Sequence, residues 1–285
     1  MNRFDYYEPG SVEEACGLLA GFGREAKVLA GGTDLIPRMR QGVFAPKQVI
    51  NIKKIAELRF MKEENGRLSI GTLTRLSEIA ASPLVEGRFP IFAQAARSIG
   101  SVQVRNLATL GGNLCNAAPS ADTAPGLLAL DATVRIAGLL KRREIPLENF
   151  FLGPGQVDLK KDELLTEIMI PFAPAHAKQV YVKHSMRRAM DIAIVGVAVL
   201  LSFDETTGVC KKARIAFGAV APTPVRAKKT EAAVLGKTLK EVSFASIGER
   251  AAQEIAPISD VRGSAGYRTE MISCLTIRAI RSLTS

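Results

Sequence analysis

Two consecutive glycines near the amino end make the segment 28–35, VLAGGTDL, the first candidate for ligand binding. Glycine has no Cβ, so the backbone at Gly31 and Gly32 can adopt positive φ, approach a ligand closely and turn its N–H groups toward phosphate oxygens. An apolar strand leads into the glycines and a helix follows them, so the dipole of that helix would favour an anion. An ordinary strand-to-helix turn, with Asp34 as its N-cap, is the alternative.

A second glycine pair lies within the segment 108–122, ATLGGNLCNAAPSAD. Its small residues permit close approach, and it offers hydroxyl, carboxamide and carboxylate groups at Thr109, Asn113, Asn116, Ser120 and Asp122. A dinucleotide needs both features, because its diphosphate requires backbone donors and its ribose and ribityl hydroxyls require polar side chains. A buried polar loop that fastens its own backbone is the alternative. The occurrence of two such glycine segments in one chain favours ligand binding.

A third segment, 181–195, places Lys183 on a strand and a charged cluster in the turn that follows it. Such a strand can carry a lysine to the pyrimidine edge of a flavin, where a cation stabilises negative charge on the reduced ring. By itself this segment favours the simpler interpretation, a solvated cluster of charges in a turn.

Other ligand-binding motifs are either absent from the sequence or lie between elements of the wrong type. The stretch 21–26, GFGREA, fits G-x-G-x-x-A, but it follows a helix and leads into a strand, so it predicts a helix C-cap turn rather than a Rossmann phosphate loop. No G-x-x-x-x-G-K-[ST] motif occurs. The cysteines form no C-x-x-C pair, and His176 and His184 show no ligand or triad spacing, so we expect no disulfide framework or metal site in this chain.

The elements around the first glycine segment predict a small parallel unit. Ser11 and Glu14 match a capping box and begin a helix over 11–22. A strand over 27–30, a short helix over 34–41 and a strand over 47–52 follow it. This β-turn-α-β order is typical of parallel strand pairing.

The remaining sequence predicts an α+β fold in two parts. From about residue 57, strands over 68–71, 132–137 and 164–170 are interleaved with helices near 75–82, 90–99 and 124–131. After the prolines at 171 and 174, the pattern predicts strands over 178–184, 192–203 and 212–219, then helices near 230–236, 243–255 and 265–283. Three strands followed by helices indicate a separate carboxyl domain. We therefore predict domains over 1–175 and 176–285, with subdomains of about 1–56 and 57–175 in the first.

The bulk properties exclude several classes of protein. The chain has 285 residues and a net charge of +10, but its basic doublets are scattered, Trp is absent and no aromatic-basic RNA-binding motif occurs. An anionic cofactor and acidic partner surfaces therefore explain the charge better than nucleic acid does. The longest apolar run, 192–203, is shorter than the roughly 20 residues of a membrane span, and the amino end lacks a signal-peptide pattern. A reducing cytoplasm fits the cysteine usage best.

Together these segments resemble the FAD-binding subunits of the xanthine dehydrogenase and carbon monoxide dehydrogenase family. The matching features are AGGTDL at 30–35, TLGGN at 109–113 continuing to Asp122, and Lys183 followed by Arg187, Asp191 and Ala193. Their order and spacing match over essentially the whole chain. The resemblance implies a vanillyl-alcohol-oxidase or PCMH-type FAD-binding fold with two α/β subdomains. It also implies a C-terminal α+β domain with a three-stranded antiparallel sheet and helices.

The resemblance also implies roles for particular residues. Positions 29–35 should wrap the diphosphate, the segment 109–113 should form its second loop, and Asp122 should accept a hydrogen bond from an FAD hydroxyl. Leu165 and Lys183 fall where family members approach the adenine or isoalloxazine ends, and Ile99 lies near the flavin. The predicted cofactor-binding residues are Leu29, Ala30, Gly31, Gly32, Thr33, Asp34, Leu35, Ile99, Thr109, Gly111, Gly112, Asn113, Asn116, Asp122, Leu165 and Lys183.

In this family the flavoprotein works beside a small subunit with [2Fe–2S] clusters and a large molybdenum-cofactor subunit. The resemblance therefore implies an electron-transfer subunit of a molybdenum hydroxylase, in a dimer of heterotrimers, with the substrate chemistry on a partner. Neither His nor Cys occurs in the first glycine segment, so we expect noncovalent FAD. A stand-alone FAD-dependent oxidoreductase acting on a small organic substrate is the alternative, and a basic binding module is a third hypothesis.

Overall fold

The computed structural model describes residues 1–283, so the last two residues of the predicted carboxyl domain, 284 and 285, lie outside the described residues. The amino-terminal unit consists of β1 Asp5–Tyr7, α1 Val12–Phe22, β2 Ala26–Leu29, α2 Leu35–Arg40 and β3 Gln48–Asn51. The strands pair in the order β1-β3-β2, and both pairings are parallel. The predicted parallel unit is therefore confirmed.

The ends of α1 follow from its sequence. The hydroxyl oxygen of Ser11 accepts a hydrogen bond from the Glu14 amide at 3.1 Å, so the predicted N-terminal cap is present. The C-cap residue is Gly23, whose φ of 57° is a conformation that favours glycine. The stretch 21–26 is thus a helix C-cap turn, as predicted.

Among the residues that the structure describes, the middle region, 57–175, contains seven strands and six α-helices. The strands are β4 Met61–Glu64, β5 Arg67–Gly71, β6 Thr133–Ala137, β7 Arg142–Pro146, β8 Phe151–Gly153, β9 Gln156–Val157 and β10 Leu164–Pro171. The helices are α3 Leu76–Ala81, α4 Pro83–Arg88, α5 Pro90–Arg97, α6 Val102–Leu107, α7 Leu110–Cys115 and α8 Thr123–Ala129. An antiparallel sheet of order β4-β5-β10-β6-β7 forms the base of this region, and β8 and β9 form a separate hairpin.

Every strand and helix predicted for the middle region is present, but several short elements were missed. The missed helices α4, α6 and α7 have 6 residues each, and the missed edge strands β4 and β7 have 4 and 5. Elements of this length give too few turns of a helix, or too few alternations of a strand, for a periodic pattern to be recognised.

The carboxyl region contains β11 Lys178–His184, β12 Val195–Phe203, β13 Cys210–Gly218, β14 Val225–Arg226, α9 Lys228–Val234, α10 Phe244–Gln253 and α11 Ala265–Ser282. Its sheet has the order β11-β12-β13-β14, so the prediction of three strands needs a correction. The fourth strand is only 2 residues long and pairs with Ala216 and Phe217. No helix within residues 1–283 combines the length and apolar character that a membrane span requires.

The central strand β12 is buried on both faces of its sheet. Ala198 and Leu200 belong to the main hydrophobic core, which includes helices of the middle region, whereas Val197 and Val199 belong to a second core beneath α10 and α11. Side chains alternate between the faces of a strand, so burial on both faces requires a continuous apolar run. This explains the apolar stretch 192–203, and it means that the carboxyl sheet shares a core with the middle region.

A cluster of charges also joins the middle and carboxyl regions. Asp131, just after α8, accepts hydrogen bonds from Arg214 Nε at 2.9 Å and from Arg226 Nη1 at 2.9 Å, and its carboxylate lies 3.0 Å from Lys212 Nζ. Burial alone would raise the pKa of Asp131, but the hydrogen bonds and charges of Lys212 and Arg214 outweigh it and lower that pKa. The ionised carboxylate is therefore the form that holds the two regions together.

We expect Asp131→Asn to reduce the free energy of unfolding by about 2 kcal/mol at pH 7, because hydrogen bonds to a charged acceptor are lost. Since the pKa of Asp131 is lowered by folding, its contribution is present above the ordinary carboxyl pKa and is lost as the pH falls through the lowered value. Urea unfolding of both proteins should therefore show a difference that closes below about pH 4. The exposed Asp5→Asn is the control, and a difference that stayed constant with pH would contradict the assignment.

Candidate functional site

The two glycine segments meet at one cavity of about 290 Å³. The first segment connects β2 to α2, and the second begins α7 in the middle region. All predicted cofactor residues line this cavity except Leu29, Asp122 and Lys183. The cavity thus lies between the amino-terminal unit and the middle region, where residues far apart in the sequence converge.

The first segment presents backbone amides that the protein does not use. Within residues 1–283, the amides of Gly31, Gly32, Thr33 and Asp34 donate no hydrogen bond, although all four residues line the cavity. Gly32 has a φ of 76°, which an L side chain rarely adopts. Free amides in a curved segment favour an anion, so this segment can hold a phosphate group.

The second segment differs from its prediction as a second loop around the diphosphate. It is the first turn of α7, and Thr109 is the N-cap whose hydroxyl oxygen accepts from the Gly112 amide at 3.1 Å. The Gly111 amide donates to the carbonyl oxygen of Thr72 at 3.0 Å, and the Asn113 amide donates to that of Thr109 at 3.0 Å. These amides are therefore occupied, and the segment supplies space and polar side chains rather than a second amide cradle.

The glycines of both segments are required by close packing. A Cβ added to Gly31 would lie 2.2 Å from the carbonyl oxygen of Leu107, directly before the second segment. A Cβ added to Gly111 would lie 1.5 Å from Thr72 Oγ1. Contacts of this kind cannot exist without movement of the chain, so glycine at position 31 lets the two segments approach each other, and glycine at position 111 lets the second segment pack against Thr72.

Lys183 and Asp122 form a buried ion pair, and neither residue lines the cavity. Lys183 Nζ donates to Asp122 Oδ2 at 2.8 Å and to the carbonyl oxygens of Ser98 and Asp191, each at 2.9 Å. The other carboxylate oxygen accepts from the Tyr181 hydroxyl at 2.8 Å. The lysine therefore uses all of its donors within the protein, and it holds the segment that leads to Ile99 in the cavity wall.

The environment of this pair perturbs the acids within it. Burial raises the pKa of Asp122, although the charge and hydrogen bond of Lys183 and the hydrogen bond of Tyr181 act in the opposite direction. Burial and the neighbouring carboxylate raise the pKa of Tyr181 well above its usual value, so its hydroxyl remains a donor. The cofactor contacts predicted for Asp122 and Lys183 stay predictions, as does that of Leu29, which packs in a small core with Met39 and Val49.

Sequence reasoning missed several residues of the cavity wall. Lys27, Arg38 and Phe44 line it beside the first segment, and Thr72 lines it beneath the second. No sequence motif marks Lys27, Arg38 or Phe44 as a ligand-binding residue. They meet at the cavity only because the chain turns back toward β2 after α2. Cys115 also lines the cavity, and burial raises the pKa of its thiol to about 12, so it is protonated at neutral pH.

The described residues contain no group of three or more His, Cys, Asp or Glu side chains placed to hold a metal ion. His176 is exposed, and its ring lies 3.2 Å from a carboxylate oxygen of Glu205. His184 is the last residue of β11, and its Nε2 lies 2.8 Å from the Tyr267 hydroxyl. Neither histidine lines the cavity.

Comparison with known families gives two matches that follow one another along the chain. Residues 2–173 match the family described as the FAD binding domain in molybdopterin dehydrogenase, and residues 180–283 match the CO dehydrogenase flavoprotein C-terminal domain. The chain belongs to the molybdopterin dehydrogenase FAD-binding family. Its cofactor is accordingly FAD, and the chain is an FAD-binding oxidoreductase subunit.

Individual members of the molybdopterin dehydrogenase FAD-binding family match over nearly their whole length. The chain is 35% identical to the glyceraldehyde dehydrogenase medium chain of Sulfolobus acidocaldarius, with 99% of this chain and 98% of the relative covered. It is 34% identical to the carbon monoxide dehydrogenase medium chain of Hydrogenophaga pseudoflava, with 98% and 96% covered. A solved structure of carbon monoxide dehydrogenase from that organism superposes with a TM-score of 0.95 at 35% identity, with 99% and 98% covered.

Proposed function

We propose that this chain is the electron-transfer subunit of a multisubunit molybdenum-containing hydroxylase or dehydrogenase. In this role it passes electrons between [2Fe–2S] clusters of a partner and an external acceptor. The observation that carries the proposal is a single cavity lined by both glycine segments, with unused amides on one side, in a chain that matches medium subunits from end to end. When bound, FAD accepts electrons in pairs or singly, which suits a link between one-electron clusters and another acceptor.

Each part of the cavity receives a role in this proposal. The amides of Gly31, Gly32 and Thr33 bind the diphosphate of noncovalent FAD. The helix α7 provides room for it, and the side chains of Asn113 and Asn116 face its hydroxyl groups. The further predicted contacts are those of Ala30, Asp34, Leu35, Ile99, Thr109, Gly111, Gly112 and Leu165, which all line the cavity.

The partners proposed for the chain are a small [2Fe–2S] subunit and a large molybdenum-cofactor subunit, in a dimer of heterotrimers within the cytoplasm. The carbon monoxide dehydrogenase and xanthine dehydrogenase names of the relatives support this assignment. We further propose that the chain divides near residue 175 into an FAD-binding part and a carboxyl part. The substrate pocket then lies on another polypeptide, so the residues of this chain bind and orient the flavin.

Spectroscopy and metal analysis test this function. The purified chain supplied with FAD should show flavin absorption bands near about 370 and 450 nm, and FAD should be released on denaturation. The native assembly should copurify with molybdenum and iron, whereas the chain alone should contain neither. A chain that binds no FAD would refute the proposal. Reduction of the isolated chain by a small organic substrate would instead favour a stand-alone oxidoreductase.

A further inference from the structure

Two surface segments of the carboxyl region hold a large share of the exposed apolar side chains. Within residues 1–283, fifteen large hydrophobic side chains are exposed, and six of them lie in the segments 185–192 and 256–267. Such a concentration indicates a contact surface, because soluble proteins otherwise scatter these residues singly. We refer to the six residues as the apolar patch: Met186, Met190, Ile192, Ile258, Val261 and Tyr267.

Side-chain contacts hold the two segments of the apolar patch together. His184 Nε2, just before the first segment, lies 2.8 Å from the Tyr267 hydroxyl oxygen. Arg268 Nη1 donates to the carbonyl oxygen of Ile194 at 2.6 Å, and Arg268 Nη2 donates to Asp260 Oδ1 at 2.8 Å. The two segments are therefore neighbours on one surface.

Hydrogen bonds within each segment keep these apolar side chains in solvent. The first and last residues of the turn 260–263 bond to each other through their backbones, and Val261 at the tip is 95% exposed. In the other segment the Arg187 amide donates to Asp191 Oδ2 at 2.8 Å, and Arg187 Nη2 donates to the Met190 carbonyl oxygen at 2.9 Å. The exposure of the apolar patch is thus a property of how both turns fold.

The charges around the apolar patch give it a positive rim. Arg188 is exposed and, within residues 1–283, its side chain makes no hydrogen bond or ion pair. The Arg187 side chain is 70% exposed, whereas that of Asp191, which lies 3.7 Å away, is 13% exposed. The carboxylate of Asp260 is paired with two arginines. The carboxylates are therefore neutralised by the protein, and guanidinium groups face the solvent.

The apolar patch adjoins the wall of the flavin cavity. The Met190 amide donates to the carbonyl oxygen of Gly100 at 3.1 Å, and Gly100 follows Ile99, which lines the cavity. Lys183 joins the same two segments through its hydrogen bonds to a carbonyl oxygen of each. A partner bound to the apolar patch therefore lies beside the wall that encloses the cavity.

We propose that the apolar patch and Arg188 dock a small acidic protein with a single one-electron redox centre, and that this protein is the external acceptor. The inference rests on the proposed function, since it names the acceptor for electrons held by bound FAD. A basic rim attracts an acidic carrier and speeds the encounter. Redox encounters use small interfaces, so a patch of six apolar side chains is large enough.

The stoichiometry of the transfer follows from the two redox centres. Two electrons leave reduced FAD, and each carrier molecule accepts one, so two carriers dock in succession. Two protons pass from the reduced flavin to water, and no bond forms between flavin and carrier. The first carrier must dissociate before the second binds, which a small and charge-steered contact permits.

Electron transfer from the FAD-loaded full chain to two proteins tests the docking surface. The chain is reduced with one equivalent of dithionite without oxygen and is then mixed with oxidised rubredoxin, which is acidic, or cytochrome c, which is basic. The absorbance of each iron protein gives the rate of its reduction. The rate for rubredoxin should fall as salt is raised, and the rate for cytochrome c should not, because only the acidic protein is attracted.

Arg188→Glu and Val261→Asp alter the docking surface at residues that do not line the cavity. At low salt each should lower the rate for rubredoxin about fivefold, and the double variant should lower it about twentyfold, because repulsion replaces attraction. Neither should lower the rate for cytochrome c. The FAD content and thermal unfolding of each variant should match those of the unaltered chain, which separates a docking effect from misfolding.

Arg24→Glu and Leu140→Asp are the matched controls, because they change the net charge equally at exposed residues outside the carboxyl region and the cavity wall. Each should keep the rate for rubredoxin within about twofold of that of the unaltered chain. The native assembly should show the same loss in the double variant. If it showed none, a permanent subunit would cover the apolar patch and the docking inference would fail.

The remaining outcomes separate this inference from the proposed function. If reduced FAD in the unaltered chain passes electrons to neither protein nor to the dye dichlorophenolindophenol, the proposed function fails. If the dye and the proteins are reduced but the patch variants match their controls, the docking inference alone fails. Faster oxidation of the flavin by NAD⁺ than by rubredoxin, at a rate that the double variant leaves unchanged, would also overturn it.

Discussion

Gly31→Ala should bind FAD about a thousandfold more weakly than the unaltered chain, or not measurably, and should lose about 3 kcal/mol of stability. The new Cβ would lie 2.2 Å from the carbonyl oxygen of Leu107 and 2.9 Å from Ala108 Cα. Both are backbone atoms, so no side chain can turn aside to make room. The two glycine segments must therefore move apart, and the free amides of the first segment move with them. Titration of the flavin-free chain with FAD and urea unfolding measure the two effects.

Gly17→Ala is the control for this substitution. Gly17 lies within α1, and an added Cβ there has no atom within 4 Å. The control should keep its FAD affinity and gain about 0.5–1 kcal/mol of stability, because alanine is the better helix former. An affinity of Gly31→Ala equal to that of the control would show that the approach of the two segments is not needed for binding.

Lys183→Met should reduce the free energy of unfolding by about 3–5 kcal/mol, because it leaves the Asp122 carboxylate buried without its cation. The side chains of Lys183 and Asp122 are only 11% and 7% exposed, so water does not replace the lost partner. The carbonyl oxygens of Ser98 and Asp191 would lose their donor as well. Urea unfolding of the flavin-free chain is the direct measurement.

A second substitution shows whether the cost is electrostatic. Asp122→Asn combined with Lys183→Met removes both charges, so the double variant should be more stable than Lys183→Met alone. The exposed Lys161→Met should change stability by less than about 0.5 kcal/mol. If adding Asp122→Asn made Lys183→Met less stable still, the cost would come from lost packing of the lysine chain rather than from the unpaired carboxylate.

Local patterns in the sequence predicted the elements that border the site. The capping box at Ser11 located the start of α1, and the alternation from strand to glycine pair to helix located the first segment correctly. The resemblance to the FAD-binding family implied that both glycine segments surround one diphosphate, and both segments do line one cavity. These features depend on residues that are close together in the sequence or on the needs of one ligand. They can therefore be predicted without knowledge of the tertiary structure.

The state of the amides in the second segment could not be predicted in the same way. The partner of the Gly111 amide is the carbonyl of Thr72, which lies on the loop after β5, nearly forty residues earlier. Nothing in the sequence near Gly111 indicates that carbonyl, because it arrives through the pairing of β5 with β10. The same limit applies to Phe44, whose ring reaches the cavity only after the chain turns back from α2.

The double burial of β12 has a consequence for any attempt to handle the two parts of this protein as fragments. A truncated polypeptide ending near residue 175 would leave in water the apolar surfaces of α5 and α8 that now rest against Ala198, Leu200 and Ala216. Uncovered surface of this kind drives aggregation. The amino-terminal half therefore depends on the sequence that follows it in order to fold stably. During synthesis, the apolar surfaces of α5 and α8 stay exposed to water until β12 and β13 have been made.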